Sequence, residues 1–217
     1  MGEGVYTIGK QQRAKSDTEA GHSKAENYAL RKLEKGIRDY DYEKMYIINS
    51  DGNVVAESKT NRGDKASMTV NGSVADGILT HNHPTHLLKG LAGRIGVTFS
   101  ERDLITAIDD NLKEIRAVTP YNIYSIKRPK DGWGDKKKVK RLIKKSYKDA
   151  EEKTIKYFNT TGYKAARKVA VSSRNFDKAK ETLENFLSRG ELIYVHQGIK
   201  ELANKLGWEY TYKKWDR

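Results

Sequence analysis

Two short stretches hold the residues best suited to chemistry. One is Thr80-His81-Asn82-His83-Pro84, and the other, after a spacer running from Pro84 to Phe99, is Ser100-Glu101-Arg102-Asp103. On a β-strand, residues i and i+2 point to the same face, so His81 and His83 present two imidazoles on one side of a strand end, a chelating arrangement. Pro84 has no N–H and closes the strand where such a site would open. A third ligand is then expected from another element, and Asp103 lies one turn into the helix that follows. The chain has no cysteine, so any metal site must use His, Asp and Glu. Each part has a plain explanation: Ser-x-x-Asp is also a helix cap, and an isolated His-x-His is commonly incidental. Together they predict a divalent metal site, with zinc first among the candidates.

The surrounding pattern supplies elements to position them. "AENYALRKLEKGIRDY" spaces Ala25, Tyr28, Ala29, Leu33 and Ile37 as one face of an amphipathic helix. "EKMYIINSDGNVVAESK" reads as a hairpin turning at Asp51-Gly52. "SMTV" and "DGILTH" are third and fourth strands, the latter apolar enough to lie inside a sheet. "SERDLITAIDDNLKEI" is a helix with Leu104, Ile105, Ile108 and Leu112 on one face, and "IRAVTP" and "YNIYSIKRP" are strands on either side of Pro120. "KDGWGD" reads as a breaker and domain boundary. Beyond it come a lysine-rich helix carrying Val139, Leu142, Ile143 and Tyr147 on one stripe, two helices ending at Gly190 and Gly207, and a terminal strand in "WEYTYKKW". The expected organisation is an extension over 1–24, a metal-binding domain over 25–129 and a basic, mainly helical region over 130–217.

Charge divides the chain along the same line. Residues 1–129 carry 19 Lys and Arg against 17 Asp and Glu, whereas residues 130–217 carry 23 against 12. Eight basic residues fall between positions 136 and 148. A basic half suggests a polyanion or an acidic partner, and a solvated lysine-rich face explains the same pattern. Three readings stay open: packing on the core with a solvated basic face, nucleic acid, or an acidic protein. The aromatic residues Trp133, Tyr147, Tyr157 and Tyr163 form no evident stacking platform, which argues against sequence-specific nucleic acid recognition. No apolar run approaches the roughly 20 residues of a membrane span, and the first residues lack a signal-peptide core, so a soluble, cytoplasmic protein is expected.

"THNHP" followed by "FSERD" resembles the JAB/MPN family, whose JAMM motif is an upstream Glu, then His-x-His, a short spacer and Ser-x-x-Asp. The "HNHP" form after its hairpin is most similar to the RadC-type branch and to JAB domains of phage-encoded proteins, over about residues 25–128. The resemblance implies an α/β (α+β) fold with a mixed sheet flanked by helices. It also implies a zinc peptidase or isopeptidase acting on a peptide or protein-conjugate substrate. His81, His83 and Asp103 would be the metal ligands, and Ser100 would donate to the oxyanion. The general base would be a glutamate upstream, Glu43 first, with Glu57 in the second hairpin strand as the alternative. The spacer of sixteen residues departs from the family's usual seven or so. The extra residues, a flap, docking turn or surface elaboration, include His86, which is not expected to be a ligand. The competing reading is a nucleic-acid-associated binding protein on this scaffold, its metal structural or absent.

Overall fold

The computed structural model describes residues 21–59, 68–84 and 98–215. The N-terminal extension up to residue 20, the spacer from 85 to 97 and with it His86 lie outside the described residues.

The chain forms a mixed α/β fold around a seven-stranded sheet. Helix α1 (Lys24–Ile37) opens at Ser23, whose side chain accepts the Glu26 N–H while Glu26 returns a carboxylate to the Ser23 N–H. The strands are β1 (Met45–Ile48), β2 (Val54–Ser58), β3 (Met68–Val70), β4 (Ile78–Asn82), β5 (Glu114–Val118), β6 (Asn122–Lys127) and β7 (Glu209–Lys214), in sheet order β3-β2-β1-β4-β5-β6-β7. Every neighbouring pair is antiparallel except β4 and β5, which the crossover through α2 (Glu101–Asp109) makes parallel. Gly52, at φ 77°, supplies the positive φ of the β1–β2 turn.

The two faces of the sheet are covered differently. Ile47, Leu79, Ile115, Ala117, Tyr124 and Ile126 face α2 together with α3 (Lys136–Tyr157) and α5 (Phe176–Leu206), and these elements share the main apolar core. The other face lies under α1, where Leu30 meets Ile48 and Ile78, and Ile37 meets Val118 and Ile123. That face also holds a buried ionic network. Arg116, 2% exposed, bonds Glu34 of α1 and reaches Glu114 Oε1 at 2.8 Å, and Glu114 also meets His22 and Ser125. The buried side of α1 is therefore Glu26, Leu30, Glu34 and Ile37, while Tyr28, assigned to the apolar face from its spacing, is 73% exposed. Paired carboxylates inside a sheet–helix interface look the same in sequence as solvated ones.

Three other expectations are corrected. Helix α2 stops at Asp109, because Asn111 takes a left-handed φ of 52° and turns the chain into β5, so Leu112 belongs to that turn. The helices expected to end at Gly190 and Gly207 are one, α5, capped only at Gly207. Gly190 lies inside it where α3 passes close: a Cβ there would stand 3.1 Å from Thr154 Cγ2 and 3.2 Å from Tyr157 Cδ1. The "KDGWGD" breaker is no linker, since Trp133 is buried, donates Nε1–H to Leu112 O at 2.9 Å and packs edge-on against Trp208. With β7 completing the sheet and α3 and α5 in the main core, the 129/130 boundary divides composition and not the core. A short π-helix (Phe158–Gly162) and α4 (Tyr163–Ser173), which were not expected from the sequence, continue α3.

Candidate metal centre

Strand β4 lies between β1 and β5 and is buried along its whole length, so His81 is a central-strand histidine with no exposed surface. His83 follows one pleat later, still tied to β5 by its N–H on Val118 O at 2.8 Å. Both imidazoles face the α2 side of the sheet, their centroids 4.7 Å apart and their planes at 68°, with the two Nε2 atoms 2.9 Å apart.

Asp103 reaches the same point from the first turn of α2. Its Oδ2 lies 3.5 Å from His81 Nε2 and 3.5 Å from His83 Nε2. The three atoms form a group that could hold a metal ion. Tetrahedral zinc with bonds of about 2.0–2.1 Å requires ligand atoms about 3.3–3.4 Å apart, and the three edges here bracket that value. Two neutral imidazoles and a carboxylate are also a donor set that zinc accepts. His81 Nδ1 is buried without a hydrogen-bond partner among the described residues, so none of them fixes its tautomer as an outer-shell acceptor would. Burial pushes the Asp103 carboxyl up, but the charges of His81 and His83 and the bonds they make to it outweigh this and hold it well below the ordinary carboxylate range. Asp103 is thus an anion at neutral pH, as a ligand must be.

Ser100 is the N-cap of α2. Its Oγ accepts the Asp103 N–H at 3.2 Å, and its own N–H donates to Asp103 Oδ2 at 2.6 Å. The cap and the expected oxyanion role are compatible, because the cap uses a lone pair of Oγ and leaves the hydroxyl proton available to donate. The serine is exposed beside the focus.

Of the two candidate bases, the sheet places Glu57. Met45 pairs with His81 across the β1–β4 ladder and Lys44 O accepts the Asn82 N–H, while exposed Glu43 lies two residues before β1 begins. Glu57 pairs with Tyr46, alternates to the α1 face and bonds Lys44 Nζ. It stands on the far side of the sheet from the imidazoles.

Sequence reasoning missed Asn82, the residue between the histidines. Its side chain turns to the opposite face and grips the backbone on both sides of Glu43: Oδ1 accepts the Lys44 N–H at 2.7 Å and Nδ2 donates to Tyr42 O at 2.9 Å. Its position inside His-x-His was the available signal. His22 and His196 belong elsewhere, the first in the Glu114 network and the second among Tyr124, Tyr210 and Tyr212. Comparison with family models, curated proteins and solved structures gives no match.

Proposed function

We propose that this chain is a zinc-dependent hydrolase of the JAB/MPN kind, cutting a peptide bond or the isopeptide bond of a protein conjugate. The reading rests chiefly on one observation: two same-face imidazoles and an anionic carboxylate from a different layer converge on a single point, with exposed Ser100 beside Asp103.

His81, His83 and Asp103 would hold the ion, which when bound would supply Lewis acidity and make water a better nucleophile at neutral pH. Glu43 takes the proton of the attacking water as its oxygen adds to the scissile carbonyl carbon, and returns it to the amine nitrogen as the C–N bond breaks, leaving a carboxylic acid and an amine, between which the remaining acid proton passes to give carboxylate and ammonium. Ser100 donates its hydroxyl proton to the carbonyl oxygen as charge develops on it, a contact of a type typically worth about 3–4 kcal/mol in the transition state. Asn82 holds the Glu43 backbone at the end of the ladder. The test is hydrolysis of a panel of peptides and lysine-linked isopeptides by the full chain, with activity lost to chelator and restored by zinc; a metal-loaded protein inert on every member contradicts the reading.

A second reading has one observation of its own. Lys137, Arg141, Lys144 and Lys148 recur on successive turns of α3, opposite its buried residues Val139, Ile143 and Ala150, and all four are exposed. Such a stripe suits a row of phosphates, and in this reading the chain is a nucleic-acid-associated protein.

A further inference from the structure

Two hydrogen-bonded contacts on consecutive residues tie the approach to Asp103 to the C-terminal elements. Tyr147 of α3 donates its hydroxyl to Phe99 O at 2.6 Å. Thr98 Oγ1 lies 3.1 Å from the hydroxyl of Tyr210 on β7, which lies 2.9 Å from His196 Nδ1 on α5. Thr98 and Phe99 are both buried, and they directly precede Ser100. The phenol of Tyr147 is kept protonated, by its burial first and by the nearby charge of Asp103, so it serves the Phe99 carbonyl as a donor. Burial and Lys200 keep His196 neutral, which leaves its Nδ1 able to accept.

These contacts supply what the core does not. Helix α2 is seated by Leu104, Ala107 and Ile108, but apolar burial is non-directional and leaves small rotations and slides inexpensive. A metal site tolerates ligand errors of only about 0.2 Å. Because Ser100 and Asp103 are bonded to each other in both directions, fixing the carbonyl of Phe99 fixes the start of α2 and with it Asp103 Oδ2.

We propose that Tyr147 and Tyr210 are positioning residues of the metal centre, so that the basic C-terminal part completes the site. This rests on the metal-centre reading above. The experiment uses the full chain as wild type, Tyr147→Phe, Tyr210→Phe and Ile48→Ala. The last variant opens the core under α1, on the opposite face of the sheet. Zinc affinity is measured by chelator competition, and ligand geometry by visible absorption of the cobalt-loaded protein. Tyr147→Phe and Tyr210→Phe should each weaken zinc binding more than about threefold, up to the roughly 10–100-fold typical of losing a partner bonded directly to a ligand, and alter the cobalt spectrum. Ile48→Ala should melt lower than wild type yet bind zinc like it. The proposal is overturned if both tyrosine variants bind zinc within about twofold of wild type, or if Ile48→Ala loses as much affinity as they do, since the effect would then be general loosening. Should one tyrosine variant fail to fold, the other carries the same test. Wild type that takes up no zinc removes the metal reading itself, an outcome distinct from intact wild-type binding with unaffected variants.

Discussion

His81 and Asp103 belong to different layers of the fold, a central strand and a helix packed against it, and bring Nε2 and Oδ2 to 3.5 Å. The same carboxylate caps its own helix through the Ser100 N–H, so metal binding and capping are separable by chemistry. Asp103→Asn retains an acceptor oxygen for the cap but loses the charge. It is expected to cost no more than about 1 kcal/mol of stability while lowering zinc affinity at least tenfold, read by chelator competition alongside urea unfolding. Equal zinc affinity in wild type and variant would show that the carboxylate is only a cap.

The pairing of Glu57 with Tyr46 puts Glu57 on the face away from the imidazoles, which leaves Glu43, just before β1, as the proposed base. Glu43→Gln is therefore expected to abolish hydrolysis, with metal content and melting temperature unchanged, because it removes a proton acceptor and no ligand. Glu57→Gln should retain activity. Asn82→Ala should lower activity less than Glu43→Gln, since it loosens the backbone on either side of the base while leaving its carboxylate in place. The reverse result, an active Glu43→Gln and an inactive Glu57→Gln, would exchange the assignment.

The buried network under α1 gives a pH dependence that can be measured without any substrate. Burial pushes Glu114 up, but the charge of Arg116 and the bonds from His22 and Ser125 outweigh it and hold the carboxyl at about 2, below the ordinary 4.5. A depressed carboxylate contributes stability that is fully present above the unfolded-state value and is lost as pH falls through the folded one. The contribution is about 3 kcal/mol, lost between about pH 5 and pH 2. Glu114→Gln should start less stable at pH 7, with a shallower decline in acid, measured as the urea unfolding free energy at each pH. Parallel acid profiles in the two proteins would contradict this.

Much of the frame could be read from periodicity and punctuation. Asp51-Gly52 marked the first hairpin, the apolar run before His81 marked a buried strand, and Ser100 marked a helix start. The cluster of His81, His83 and Asp103 was legible because His-x-His followed by Ser-x-x-Asp is a combination that neither part alone explains. What escaped detection depends on partners distant in sequence. Glu26 and Glu34 are buried only because Lys113 and Arg116 lie across from them. Gly190 resembles a helix stop unless α3 is known to pass so close that an added Cβ would meet Thr154 at 3.1 Å. Tyr147 counted as one more apolar residue on a stripe, and nothing local shows that its hydroxyl meets Phe99. Asn82 was overlooked because the histidines beside it explained the motif without it.

The basic stripe on α3 allows a decision between phosphate binding and a solvated face. Lys140 does not belong to it, since its ammonium pairs with Asp109 of α2. Replacing Lys137, Arg141, Lys144 and Lys148 by Gln should weaken nucleic acid binding uniformly across sequences and flatten its salt dependence, by up to about one unit of slope for each phosphate no longer neutralised. Cleavage of a short neutral peptide should be unaffected. Wild-type protein that binds no nucleic acid at about 50 mM salt, where counterion release is most favourable, would remove the phosphate reading.

Whether His81, His83 and Asp103 bind a metal is decided by elemental analysis of the full chain purified without chelator. About one zinc per chain is expected, because two imidazoles and a carboxylate converge with ligand-atom separations that bracket the tetrahedral value, and His81→Ala should abolish it. A wild-type protein that carries no metal and takes up none when zinc is added contradicts the account.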